Sequence, residues 1–184
     1  FAHFYMDAIF EKFVSKCNGL NVKPSQHLLF VSIPEQKMRV YASDGTLWKT
    51  YFISTSRKSP SCVENSNGTP TGLHKIDGKI GAGEPLWTVF RARKPCGAFS
   101  QQPPQERQKN LITTRIMRLR GLEEGINSGT GVDTYNRYVY IHGTNQEDKI
   151  GSPNSHGCIL LSNADVAELF DVVNDGDLVL ISED

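Results

Sequence analysis

Two spacings of hydrophobic residues divide the chain. Phe10, Phe13, Val14 and Cys17 recur at i, i+3, i+4 and i+7, which predicts an amphipathic helix over residues 3 to 17. Asn18-Gly19 supplies its stop. From His27 the period shortens. HLLFVSI, KMRVYA and LWKTYFIST are β-rich runs split by Pro34-Glu35 and by Ser43-Asp44-Gly45, the signals of an antiparallel meander. Thr69-Pro70-Thr71-Gly72 is a rigid turn that feeds a strand, GLHKI, in which His74 is expected to pack or face solvent. A strand near Trp87 to Arg93 leads into KPCGAFSQQPPQERQKN, whose Gln, Pro and charge predict an exposed loop, either a plain surface excursion or a wall over a site. LITTRIMRLRGL, RYVYIH, ILL and DLVLIS are further strands, and Ser162 or Asn163 caps a helix over about 164–173.

About ten short strands against two helices, without βαβ alternation, predict a mainly β protein. The expected architecture is a single β-sandwich or barrel-like domain with an N-terminal helix and a second helix near the C-terminus. Residues 1–26 form a helical appendage and 27–184 the principal domain. At 184 residues the chain holds a core that needs no staples. Lys and Arg number 20 and Asp and Glu 20, a balance that argues against nucleic acid or an anionic membrane as main partner. The apolar opening, FAHFYMDAIFEKF, is too short and too charged to span a bilayer, so no integral membrane segment is expected. A first residue Phe1 suggests a piece of a longer product.

Chemistry concentrates in Arg137 to Ser162, RYVYIHGTNQEDKIGSPNSHGCILLS. His142 ends one strand and Cys158 begins another, so the loop between them can fold back and bring thiol and imidazole together. A cysteine acts as a nucleophile only as thiolate, and His142 would be the base that takes its proton. The turn Ser155-His156-Gly157-Cys158 would present backbone N–H groups to an oxyanion, and Gly143 and Gly157 would leave room for substrate. Two other readings stand beside this one. Cys158 is also a plausible inert core cysteine. Alternatively His142, His156 and Cys158, with a fourth group such as Asp148, would bind zinc, because in an extended segment residues two apart face one way. Rapid thiol labelling near neutral pH would mark the activated thiol. Of the other three cysteines, Cys17 reads as a buried helix residue, and Cys62 and Cys96 could pair in an oxidising compartment.

The elements His142-Gly143-Thr144, Ile150-Gly151-Ser152-Pro153 and Ser155-His156-Gly157-Cys158-Ile159 together resemble the signature of the L,D-transpeptidase (YkuD-type) catalytic domain. Thr69-Pro70-Thr71-Gly72, Leu119 to Asn127 and Ser162 to Asp171 are similar to segments of the same family, and the resemblance covers roughly residues 27 to 184. It implies a β-sandwich-like fold acting on peptidoglycan stem peptides as donor and acceptor, in the periplasm or cell envelope, without metal or organic cofactor. By resemblance Cys158 attacks the third residue of a tetrapeptide stem and expels D-alanine. His142 is its base, His156 lines the site, and His156, Gly157 and Cys158 supply the oxyanion surroundings. A stem amine then takes the acyl group to form a 3→3 cross-link. Water, as in an L,D-carboxypeptidase, and a protein lysine are alternative acceptors; a non-catalytic wall-binding module is the alternative to an enzyme. One residue departs from the pattern: many members carry Arg two places after the cysteine, where this chain has Leu160. Arg137, Arg115, Arg118 and Arg120 are the candidates to replace that charge.

Overall fold

The computed structural model describes residues 7–184. Helix α1 (Ala8–Gly19) starts at Asp7, whose carboxylate accepts from the Ile9 N–H at 2.9 Å and from the Tyr41 hydroxyl at 2.8 Å. The first bond satisfies a free helix-end donor and the second anchors that end to the sheet. The helix runs through the expected stop and ends at Leu20; the part of the helix predicted before Asp7 lies outside the described residues.

Ten strands follow in one curled sheet: β1 (His27–Ser32), β2 (Lys37–Ala42), β3 (Leu47–Phe52), β4 (Gly72–Ile80), β5 (Thr88–Arg91), β6 (Lys94–Ala98), β7 (Ile112–Gly121), β8 (Tyr140–Thr144), β9 (Ile159–Leu161) and β10 (Leu178–Ser182). The predicted meander is β1–β2–β3, paired antiparallel. From β3 the order runs β2, β1, β10, β4, β7. The far edge of β7 pairs β8, and β8 pairs β9 in parallel. The chain just beyond β3 then meets β9: the Ser54 and Leu160 backbones exchange hydrogen bonds of 2.9 and 2.8 Å. That exchange closes the sheet on itself.

Alternation along β1 places Leu29 and Val31 inside and Leu28 and Phe30 outside. The interior is filled by Val40, Ile141, Ile159 and Leu161 against Leu169 and Phe170 of α3 (Asn163–Val172). Ser162 caps α3 as predicted, its hydroxyl accepting from the Asp165 N–H at 3.2 Å. The outer side of β1 and β10 is covered by Phe10, Phe13 and Cys17 of α1, so Cys17 is buried as expected. Burying one such Phe stabilises by about 2–3 kcal/mol. Both faces of β1 are therefore apolar, which explains the unbroken run LLFV.

The expected loop after β5 begins instead with strand β6, a hairpin partner of β5. Its tight turn uses Ala92 and Arg93, both at positive φ (47° and 66°), a conformation usually given to Gly or Asn. With Pro95 and Gly97 in the strand, the sequence carries no β signal there. The rest of the segment holds one turn of helix, α2 (Pro104–Arg107), and returns to β7.

Candidate active site

Strands β8 and β9 run side by side with Ile141 opposite Ile159 and His142 opposite Leu160. Ile141 and Ile159 enter the interior, so the alternate positions face out of the barrel. Cys158, one residue before β9, packs beside Tyr140, Phe90 and Ile116 on that outer side. His142 lies at the middle of β8, which runs on to Thr144 instead of ending at the histidine as the sequence suggests. Cys158 lies just before β9, so the two residues are on the same face of neighbouring strands. The connection 145–158 folds back as the sequence predicts.

Each group has defined partners. His142 is buried, and its Nδ1 lies 2.7 Å from the Gly143 carbonyl, so Nδ1 carries the proton and Nε2 keeps the free lone pair. Burial lowers the imidazole pKa to about 4, against the opposing pull of that carbonyl. The Cys158 sulfur accepts from the Tyr140 N–H at 3.3 Å and lies 3.7 Å from the Tyr138 carbonyl. Burial raises the thiol to about 11; the Tyr140 N–H and the Arg137 charge pull the other way. The resting pair is therefore neutral, thiol and imidazole. Among the described residues no hydrogen bond joins Cys158 to His142.

Asn163 holds the His142 strand from behind. Its buried side chain accepts from the Thr113 and Thr114 hydroxyls at 2.6 and 2.5 Å and donates to the Thr144 carbonyl at 2.9 Å. Gly143 is required by this packing: a Cβ there would sit 2.6 Å from the Thr113 carbonyl oxygen and 3.1 Å from the Asn163 Oδ1. Its missing side chain makes room for β7 rather than for a substrate, contrary to the expectation from sequence.

The Ser155–Cys158 turn is fastened from several sides. Ser155 and Asn154 donate their N–H groups to the Thr55 carbonyl, each at 2.9 Å, and the Arg57 N–H donates to the Ser155 carbonyl at 3.1 Å. The buried Ser155 hydroxyl donates to the Cys158 carbonyl at 2.6 Å and accepts from the Gly157 N–H at 3.1 Å. Gly157 has φ 129°, so the segment is not extended and His156 and Cys158 do not share a face. His156 is exposed and turned to Arg57, whose guanidinium donates to Nε2 at 2.9 Å. His142, His156 and Cys158 accordingly do not converge on one point, and no cluster of three or more His, Cys, Asp or Glu side chains forms among the described residues.

Cys158 opens into a cleft of about 170 Å³ lined by Glu64, Asn67, Arg137, Tyr138, His156 and Gly157. Through Asn67 and His156 the cleft continues into a depression of about 300 Å³ with Arg57 and Lys58 on its lip. Through Glu64 and Arg137 it continues the other way, into one of about 250 Å³ that reaches Gly129 to Asp133. Of the four candidate arginines, Arg137 is the one at the site. It donates to the Ser61 and Gly68 carbonyls at 3.0 and 2.7 Å and to the Ser66 hydroxyl at 3.3 Å, which braces the wall facing Cys158. Arg115 is held by the Glu84 and Thr114 carbonyls, Arg118 stacks on Tyr135, and Arg120 pairs with Asp77. The Thr69 turn supports the same wall, its hydroxyl accepting from the Ser56 N–H at 3.0 Å. Leu160 is buried beside His142 at the sheet closure, where a cation would lack water.

Sequence reasoning missed Arg57, Asn67, Tyr138 and the Tyr140 amide. The Arg57-Lys58 pair in a polar stretch whose one other charged residue is Glu64 was the one available signal. Cys62 and Cys96 are free thiols on separate elements, one beside Thr71 and the other beside Val89, so the open disulfide question resolves against a bridge in this structure. His74 packs: it is buried between the Gly72 carbonyl and the Thr134 hydroxyl, at 3.0 Å from each.

The fold is that of the L,D-transpeptidases. An L,D-transpeptidase from Mycobacterium smegmatis superposes with a TM-score of 0.53 at 21% identity, over 85% of this chain and 58% of that one. L,D-transpeptidase 3 from Mycobacterium tuberculosis, solved with a faropenem-derived adduct, gives 0.54 at 17% identity, over 86% and 60%. Residues 26–181 match the family model YkuD, the L,D-transpeptidase catalytic domain, and the chain belongs to that family. A curated relative, the putative L,D-transpeptidase YqjB of Bacillus subtilis (strain 168), is 43% identical over 51 residues, 28% of this chain and 29% of its own length. The chain thus spans well under two thirds of the length of each of these relatives. No helix among the described residues is long and apolar enough to cross a membrane.

Proposed function

We propose that the domain is a peptidoglycan L,D-transpeptidase with Cys158 as nucleophile and His142 as its base. One observation carries this reading: the two side chains lie on the same face of the neighbouring strands β8 and β9, and the Gly143 carbonyl commits Nδ1 so that Nε2 is free to take a proton. With the thiol near 11 and the imidazole near 4, a resting thiolate–imidazolium pair is not populated. Proton transfer instead accompanies attack. The sulfur turns from the Tyr138 and Tyr140 backbone towards the donor carbonyl, its proton passes to Nε2, and the S–C bond forms. Backbone amides of the 156–158 turn receive the oxyanion; the Gly157 N–H must first leave the Ser155 hydroxyl to take part.

Collapse of the tetrahedral adduct breaks the C–N bond to D-alanine, whose amine takes the proton back from His142. A thioester on Cys158 remains. The amine of a second stem attacks it, the C–S bond breaks with its electron pair on sulfur, and His142 returns the amine's surplus proton to the thiolate. The work is done in the cell envelope, where the stems are.

The test is incubation with a defined disaccharide-tetrapeptide and mass analysis of products. Wild type is expected to release D-alanine and give a dimer; Cys158→Ala should do neither while keeping its circular dichroism, and His142→Ala should lose at least about 100-fold in acylation rate. Release of D-alanine by Cys158→Ala at the wild-type rate would overturn the nucleophile. A trimmed monomer without dimer would assign water as the acceptor.

A further inference from the structure

The cleft beside Cys158 is electrostatically unequal at its two ends. One arm ends at Arg57 and Lys58, both exposed, and neither has a carboxylate within ion-pair distance among the described residues. The Arg57 guanidinium lines this arm and makes one side-chain hydrogen bond among the described residues, to His156 Nε2, so its remaining donors are unpaired. The other arm carries Glu64, exposed and unpaired in the same sense. Asp133, further along it, is already bonded to the Gly129 and Asn136 amides. Arg137, at the centre, has its guanidinium committed to the wall. A substrate carboxylate is drawn to the first arm and repelled from the second.

The chemistry of the proposed reaction says which carboxylate. D-Alanine leaves as an amine whose neighbouring carbon bears a carboxylate. The side-chain amine of a diaminopimelyl acceptor has the same arrangement, an amine beside a carboxylate on one carbon. Leaving group and attacking group are thus alike in the part that sits next to the thioester. Their carboxylate lies one residue's reach from the reacting carbonyl, about 3.8 Å of chain. Arg57 stands against His156, two residues before Cys158.

Given the acyl-enzyme proposed above, we infer that Arg57 and Lys58 form a carboxylate clamp on the leaving and entering side of the cleft, which selects acceptors whose attacking amine carries an adjacent carboxylate. In the transfer step the clamped amine adds its lone pair to the thioester carbon. The C–N bond forms, the C–S bond breaks towards sulfur, and the amine's proton travels through His142 Nε2 to Cys158. The clamp takes no part in that exchange; it orients the amine. It also supplies a cation that the buried Leu160 cannot.

The experiment is a competition for one acyl-enzyme. The protein is acylated with a tetrapeptide stem and offered D-methionine and D-methioninamide at equal concentration, and the two products are weighed. Wild type is expected to favour the free acid by about ten-fold or more, the value of a charge-assisted hydrogen bond. The amide has the larger fraction of unprotonated amine at neutral pH, so amine reactivity alone would give the opposite order. Arg57→Ala/Lys58→Ala should bring the ratio to one or below. Lys58→Glu, which leaves the Arg57–His156 contact in place, should favour the amide, and Arg57→Lys/Lys58→Arg should restore the preference for the acid. The ratio reports only how the acyl-enzyme partitions, so slower acylation of a variant does not disturb it. An undiminished preference in the double alanine variant overturns the clamp and leaves the acyl-enzyme standing. Failure of wild type to acylate overturns both.

Discussion

Cys158 and His142 are each held in the uncharged form by the same cause, loss of water around them. The consequence differs from that of a cysteine preactivated as thiolate. A small alkylating reagent cannot supply the coupled proton transfer that an acyl donor permits, so labelling of Cys158 should be slow at pH 7. Its rate should rise about ten-fold per pH unit from pH 7 to near pH 10 and level off only around the thiol's pKa of about 11. Iodoacetamide labelling followed by mass spectrometry across that range checks this. A plateau at pH 7 would mean that the thiolate is already formed. Slow labelling alone therefore does not separate an inert cysteine from this nucleophile, contrary to the simplest expectation from sequence; the pH profile together with stem acylation does. His142 illustrates why sequence stops short here. Its place on a strand was legible, although that strand runs on to Thr144, whereas the carbonyl that fixes its tautomer belongs to Gly143, a residue whose apparent purpose was space for substrate.

At the scale of elements, the strands that alternate cleanly were readable and those shaped by their turn were not. β1, β2 and β3 follow from apolar periodicity and from Asp44-Gly45 between them. β6 was hidden because its register depends on a turn through Ala92 and Arg93, in which neither residue advertises positive φ. The cleft wall was legible only as a polar stretch. Its form comes from Arg137, Thr69 and Ser56, which meet across long sequence separations. The three-residue strand β9 illustrates the same dependence. Leu160 looked like a lost catalytic-side cation; its position explains it, since its backbone closes the sheet with Ser54 and its side chain is 1% exposed beside a neutral histidine. Leu160→Arg should therefore destabilise the protein by about 3 kcal/mol or more, because it buries an unpaired charge. Denaturant unfolding measures it. A loss below about 1 kcal/mol would show that this position has access to water.

Across the whole molecule, two imidazoles among the described residues are buried and neutral, His142 on the outer face of the barrel and His74 on β4 against Thr134. Burial lowers both to about 4 from an ordinary 6.5. The unfolded chain takes up protons between those values and the folded chain does not. Stability is thus unaffected above about pH 6.5, falls as the pH drops towards 4, and changes no further from this source below that. Each histidine contributes a slope of about 1.4 kcal/mol per pH unit at most. Urea melts between pH 7 and 4.5 should show the decline, and His74→Asn should remove about half of this part of it. A flat profile for wild type would mean that both rings have water.

The N-terminal helix sets a different kind of boundary. The family match begins at residue 26, after α1 has ended. Yet Phe10, Phe13 and Cys17 are what cover Leu28, Phe30, Leu73 and Leu180. What is inherited with the family and what must fold together are therefore not the same stretch of chain. A protein cut at the edge of the homology would keep every residue of the cleft and expose an oily sheet face to its neighbours.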